Sequence, residues 1–261
     1  MINIHQHTFG SGRRIVLVHG WAMHSGIWRD FAQQLAQHYQ VTCIDLPGHG
    51  RSDPVTPFNL TTITDAIVAA LPEEQYCWLG WSLGASVALD VAQRYPERLD
   101  ALILMAGNPC FTQQMEQERI VWPGMPVGLL EQFARQLTEN GTATLLRFLL
   151  LQVQGLTDTK QLAKSLKMAA SECAAPDAAS LQGGLAILKH ADLRTALAKT
   201  DKPLLVLLGG RDTLVPKTVA TAMQQLQPRL QLYCIEQAAH APFLSHSEIT
   251  LALITDFIEK Q

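Results

Sequence analysis

Three observations predict an α/β fold in which a mostly parallel, twisted sheet carries helices on both faces and a helical cap is inserted into it. Short apolar or β-branched runs alternate with helical patterns from residue 14 to about residue 106 and again after residue 204, the rhythm of parallel βαβ units. A serine stands between two glycines, Gly80-Trp81-Ser82-Leu83-Gly84, where an apolar run gives way to a helix-forming one. Between residues 111 and 199 helical patterns continue and strand signals stop. The expected division is therefore a core formed by 1–110 and 200–261 and a cap formed by 111–199.

The elements follow in order. Residues 2–8 alternate like an edge strand, and Ser11-Gly12 turns the chain into the β-branched run 14–18, a buried strand. A helical stretch covers 27–38, a strand 41–45, a helix 61–71, the strand before Ser82 begins at Tyr76, its helix covers 85–94, and a strand covers 101–106. The cap reads as four helices, 127–137, 142–154, 159–170 and 178–189, separated by Gly and Pro signals and with no convincing strand. Strands return at 204–208 and 230–235 with a helix between them after Pro216, and an amphipathic helix at 248–260 closes the chain.

Composition narrows the function classes. A chain of 261 residues with 48% hydrophobic and 16% charged side chains can bury a large core. The first twelve residues lack the charged-then-apolar pattern of a secretion signal, and no apolar run reaches the roughly 18 residues of a membrane span. The expectation is a cytoplasmic monomer without membrane contact. Five scattered cysteines, an odd number, argue against both a disulfide framework and a metal cluster. A formal charge of −3 gives no global attraction to nucleic acid. No cofactor and no metal are expected.

The chemistry starts at Ser82. A Gly-x-Ser-x-Gly run after a strand and before a helix fits a nucleophile elbow, which lifts the hydroxyl at a helix N-terminus and aims the Leu83 N–H at a developing oxyanion. A serine hydroxyl needs a histidine to take its proton and a carboxylate to fix that histidine's tautomer. Downstream, the strand at 204–208 leads into Gly209-Gly210-Arg211-Asp212, and the next strand leads through Ala238-Ala239 to His240. Both lie just beyond a strand's C-terminal end, where open α/β sheets place their ligands. Taken alone, Asp212 could be a turn or helix-capping residue and His240 a loop histidine. His246 and Asp201 are poorer alternatives, because neither directly follows a strand. A second oxyanion donor should come from the loop after the strand at 14–18, where His19 is best read as a structural hydrogen-bonding residue.

Two features of the cap bear on substrate. Residues 145–153 read as a helix that is apolar nearly all round, which requires burial on two sides; one side would face the core, the other either an acyl tunnel or plain cap packing. Over 143–170 four cations (Arg147, Lys160, Lys164, Lys167) stand against Asp158. A run of this kind is a solvated face or a local docking patch.

Val18-His19-Gly20-Trp21, Asp45-Leu46-Pro47-Gly48-His49-Gly50-Arg51-Ser52, Trp78-Leu79-Gly80-Trp81-Ser82-Leu83-Gly84, Phe148 to Gln152, Gly183-Gly184-Leu185 and Ala238-Ala239-His240-Ala241-Pro242-Phe243 together give a sequence that resembles the pimeloyl-acyl-carrier-protein methyl ester esterases of biotin synthesis. These enzymes have the α/β-hydrolase fold, and the similarity runs over essentially the whole chain. The resemblance implies a serine carboxylesterase in which Ser82, Asp212 and His240 are catalytic, Trp21 and Leu83 hold the carbonyl oxygen, and Phe148, Leu149, Leu150, Leu151 and Gln152 line the acyl site. It also implies an acyl-carrier protein bearing a pimeloyl methyl ester as partner, met by basic cap residues for which Arg147, Lys160 and Lys164 stand; Ala143 departs from that basic pattern. A serine nucleophile excludes the related dehalogenases and epoxide hydrolases, which need a carboxylate there. Other outcomes for the same triad are a broad short-chain esterase, a C–C hydrolase or the menaquinone-pathway lyase, and a different class is a hydrolase-fold receptor for a small molecule.

Overall fold

A computed structural model describes residues 2–157 and 159–261; Met1 and Asp158, the latter part of the charge balance above, lie outside the described residues. The chain runs β1 (Gln6–Phe9), β2 (Arg14–Val18), α1 (Arg29–Leu35), β3 (Gln40–Ile44), α2 (Leu60–Ala70), β4 (Tyr76–Trp81), α3 (Leu83–Arg94) and β5 (Leu99–Met105). A long insertion follows, with β6 (Gln114–Glu116), β7 (Arg119–Trp122), α4 (Val127–Glu139), α5 (Gly141–Leu151), α6 (Thr159–Ala170), α7 (Ala178–His190) and α8 (Arg194–Lys199). The core then resumes with β8 (Leu204–Gly209), α9 (Val219–Leu226), β9 (Gln231–Ile235), α10 (Pro242–Ser245) and α11 (Ser247–Glu259).

Seven strands form one sheet in the order β1-β3-β2-β4-β5-β8-β9. All neighbours are parallel except β1, which pairs antiparallel with β3. Period-2 alternation divides the strand side chains between two apolar layers. Val16, Val18, Trp78, Leu102, Leu104 and Val206 face one layer, packed with Ile63 and Ile67 of α2 and Val87 and Val91 of α3. Ile15, Leu17, Leu79, Ile103, Leu205 and Leu207 face the other, packed with Phe31 and Leu35 of α1 and Ile254 and Phe257 of α11. The near-continuous apolar runs of β4, β5 and β8 follow from this, since a parallel sheet covered on both faces has no wet side.

Three readings of the sequence need correction. The edge strand begins at Gln6, four residues later than expected, and Ile2 is exposed. The insertion is not purely helical, because β6 and β7 form an antiparallel hairpin. Its turn residues, Gln117 and Glu118, have φ of 45° and 67°, a left-handed conformation that usually draws Gly or Asn; a Gln-Glu turn gives no signal in the sequence. Lastly, α5 is not buried on two sides: Leu146 and Leu150, one helical turn apart, are exposed.

Among the described residues no helix is long and apolar enough to cross a membrane, and no group of three or more His, Cys, Asp or Glu side chains is arranged to hold a metal ion.

Candidate active site

β4 ends at Trp81 and α3 begins at Leu83, leaving Ser82 alone to turn the chain. Its φ of 56° and ψ of −116° are costly for an L-residue with a side chain. The turn is possible because its flanks are bare: a Cβ on Gly80 would strike the Gly84 carbonyl, and one on Gly84 would strike the Val18 carbonyl. The two glycines thus let strand and helix close on each other, and the strain exposes the hydroxyl.

Three strand ends meet at that hydroxyl. Asp212 follows β8 and His240 follows β9. Ser82 Oγ lies 2.9 Å from His240 Nε2, and His240 Nδ1 lies 2.8 Å from Asp212 Oδ2. The carboxylate can only accept, so Nδ1 carries the proton and Nε2 is left to receive the serine proton. Asp212 is itself oriented by the backbone, its Oδ1 accepting from the N–H groups of Leu214 at 2.8 Å and Val215 at 3.0 Å. His240 is 1% exposed and the Asp212 side chain is fully buried, so water does not compete for the hydrogen bond between them.

The N–H groups of Trp21 and Leu83 have no hydrogen-bond partner among the described residues. Leu83 opens α3, where the first donors have no partner within the helix and the dipole favours negative charge. Trp21 follows β2 through His19 and Gly20, and a Cβ on Gly20 would lie 3.2 Å from the Ser82 Cβ, so this loop passes directly over Ser82. His19 itself is a buried strut. Its Nδ1 donates to the Gly20 carbonyl at 2.8 Å and its Nε2 accepts the Leu46 N–H at 2.9 Å. Burial lowers its pKa to about 3, with neighbouring His49 adding to the effect, so the ring stays neutral.

The insertion closes over this centre at two points. The Trp21 indole donates to the Leu181 carbonyl of α7 at 2.9 Å, and the Gln152 carbonyl at the end of α5 accepts the His240 N–H at 3.2 Å. Reaching the triad through Trp21 and Leu214, and not lined by Ser82, Asp212 or His240 themselves, is a cavity of about 460 Å³ whose wall also includes Leu130, Phe133, Phe148 and Leu151. The Phe148 ring meets the Trp21 indole edge to face with centroids 4.9 Å apart. Of the five acyl-site positions named from sequence, Phe148 and Leu151 face this cavity. Leu149 packs into the apolar layer that also holds α1 and α11, and Leu150 points to solvent. Gln152 is wholly buried, and neither polar atom of its side chain has a hydrogen-bond partner among the described residues. Arg147 also lines the cavity, whereas Lys160 and Lys164 are exposed on α6 and do not. Sequence reasoning missed the α4 contribution, Leu130 and Phe133, because an amphipathic helix shows only that one face is covered.

Residues 13–247 match the family model of the alpha/beta hydrolase fold. Among curated proteins the chain is 40% identical over 254 residues to the pimeloyl-[acyl-carrier protein] methyl ester esterase of Edwardsiella ictaluri, covering 97% of this chain and 96% of that one. It is 39% identical over 251 residues to the protein of the same name from Methylococcus capsulatus, covering 96% of each. The chain belongs to this esterase family of α/β hydrolases. Solved structures agree on the fold: an esterase from Exiguobacterium antarcticum superposes with a TM-score of 0.87 at 22% identity over 99% of this chain and 96% of that one. A bromoperoxidase from Bacillus anthracis gives the same TM-score at 18% identity, covering 99% of this chain and 96% of that one. Shape alone therefore selects no chemistry, whereas the esterase family is identified by sequence.

Proposed function

We propose that this chain hydrolyses the methyl ester of a pimeloyl chain carried on an acyl-carrier protein, releasing methanol and the carrier-bound acid, as a step of biotin synthesis. The observation that carries the reading is the hydrogen-bonded chain from Ser82 through His240 to Asp212 beside an apolar cavity, in a member of this esterase family. Ser82 Oγ attacks the ester carbonyl as His240 Nε2 takes its proton, and the carbonyl oxygen becomes an oxyanion facing the N–H groups of Trp21 and Leu83. Collapse breaks the bond to the methoxy oxygen, which leaves as methanol with the proton from His240. Water then attacks the acyl-Ser82, His240 again taking and returning a proton, and the acid departs. Asp212 stabilises the imidazolium that forms in each half.

In this reading, the segment 111–199 acts as a cap that shelters the acyl chain, with Phe148 and Leu151 in contact with it. The exposed Lys160 and Lys164, with Arg147 at the cavity, face the acidic carrier. Lysines act there as point charges without the bidentate grip of arginine.

The test is direct. Purified protein is incubated with pimeloyl-carrier methyl ester, and the carrier is weighed: conversion loses one methylene of mass and yields one methanol. A carrier whose mass does not change, with a protein that still reacts at Ser82 with a fluorophosphonate, sinks the substrate assignment and leaves a general esterase.

A further inference from the structure

The cavity is lined by two unlike sets of residues. Trp21, 1% exposed, and Leu214, two residues from Asp212, tie it to the triad. Gln136 of α4 and the exposed Arg147 of α5 also line it, and they are joined: Arg147 Nη1 donates to Gln136 Oε1 at 3.0 Å. That bond decides what the pair can offer. With Oε1 occupied, Gln136 presents its amide N–H groups, and the guanidinium keeps its remaining donors, since it has no acceptor at all. The pair bridges α4 and α5 in the wall of a mainly apolar cavity, whose other polar lining residues are Gln132, Gln154 and Thr213, and it is rich in donors.

We propose that Arg147 and Gln136 form a collar that reads an oxygen at the far end of the acyl chain, selecting substrates that carry a carbonyl or carboxylate at both ends over simple alkanoyl esters. The collar deepens the function proposed above and rests on the cavity being the acyl site. It assigns Arg147 a task distinct from that of Lys160 and Lys164. An alkyl end would displace water from the collar's donors without replacing its hydrogen bonds, whereas an oxygen would accept from them, and such mismatches discriminate more strongly than an extra methylene does. The shared chemistry is an oxygen acceptor. In a carrier-linked chain it is the neutral thioester carbonyl, and in a free half-ester it is a carboxylate.

The experiment uses three carrier-free methyl esters of closely similar length: dimethyl pimelate, monomethyl pimelate and methyl octanoate. The readout is the ratio of kcat/KM for each oxygenated ester to that for methyl octanoate. In the wild type we expect at least one of these ratios to be about ten or more, and in Arg147→Met or Gln136→Leu we expect it to fall towards one. A raised ratio for monomethyl pimelate that falls with added salt and is kept in Arg147→Lys assigns a carboxylate; a raised, salt-insensitive ratio for dimethyl pimelate assigns the neutral carbonyl. Wild-type ratios near one, or raised ratios unchanged in both variants, overturn the collar. Should Arg147→Met not fold, Gln136→Leu gives the same reading. Loss of the carrier reading would show differently, as selective turnover of these small esters with none of the carrier-linked one.

Discussion

The indole N–H of Trp81, the residue before Ser82, donates to the backbone carbonyl of His240 at 2.8 Å. One strand end thus holds both the serine and the segment that carries its histidine partner. Trp81 is 1% exposed and packs edge to face on Phe243, ring centroids 5.1 Å apart, so the hydrogen bond is made in a dry, aromatic setting. Trp81→Phe keeps much of the packing and removes the donor. We expect a stability loss of about 1–3 kcal/mol from the unmet carbonyl and a several-fold fall in kcat with KM little changed. Thermal unfolding and steady-state kinetics on a soluble methyl ester measure the two effects, and an unaltered kcat would show that the base is positioned without this bond.

Ser82→Ala should leave a folded protein that cannot form an acyl-enzyme. Only the acceleration supplied by oxyanion donors and binding remains, roughly 10³ to 10⁴ over water. Mass spectrometry after fluorophosphonate treatment should find the adduct on the wild type and none on the variant; equal labelling would place the nucleophile elsewhere.

Asp212→Asn keeps the side-chain shape, and its amide oxygen can still accept from Leu214 and Val215. The amide NH₂ then faces His240 Nδ1 and forces the proton onto Nε2, the wrong tautomer for a base. A loss of roughly 10⁴ in kcat follows from comparable triads. A loss of less than tenfold would argue that Asp212 only supports the loop.

If the cavity holds the acyl chain, each added methylene should contribute up to about 0.8 kcal/mol to transition-state binding until the space is filled. The kcat/KM series for methyl esters should climb and then level, and Phe148→Ala should flatten the climb. A series that is flat in the wild type would reduce the α4–α5 wall to packing alone.

Acid should loosen the fold in a defined window. Burial lowers the ring pKa of His19 to about 3 and of His49 to about 4, whereas both titrate near 6.5 in the unfolded chain. Between those limits the unfolded state binds more protons, so stability falls as pH falls from 6.5 towards 4, by at most about 1.4 kcal/mol per pH unit for each group. His49→Leu removes one of the two, and denaturant titrations at several pH values should give it a shallower slope. Identical slopes would assign the acid sensitivity to other groups.

The middle of the sheet was legible because β2, β4, β5 and β8 are buried on both faces and therefore spell continuous apolar runs. The meeting of Ser82, Asp212 and His240 was legible for a related reason, since in a parallel sheet the residue after each strand comes out on the same edge. The β6–β7 hairpin was hidden by a turn that uses Gln117 and Glu118 in place of glycine. The exposure of Leu150 beside the cavity-facing Leu151 was hidden as well: composition shows how apolar α5 is, and only its rotation against α4 and α6 decides which leucines meet a ligand.

Two of the ties between insertion and core, Leu181 carbonyl to Trp21 indole and Gln152 carbonyl to His240 N–H, bear on how such enzymes can be recombined. A chimera that replaces 111–199 with a relative's segment exchanges more than a cavity wall, because Trp21 in the loop above Ser82 and the His240 backbone each lean on a carbonyl from the transplanted piece. Grafts should succeed only when the donor brings both oxygens to the same places. Specificity and catalytic competence are then inherited together, as one joint rather than two parts.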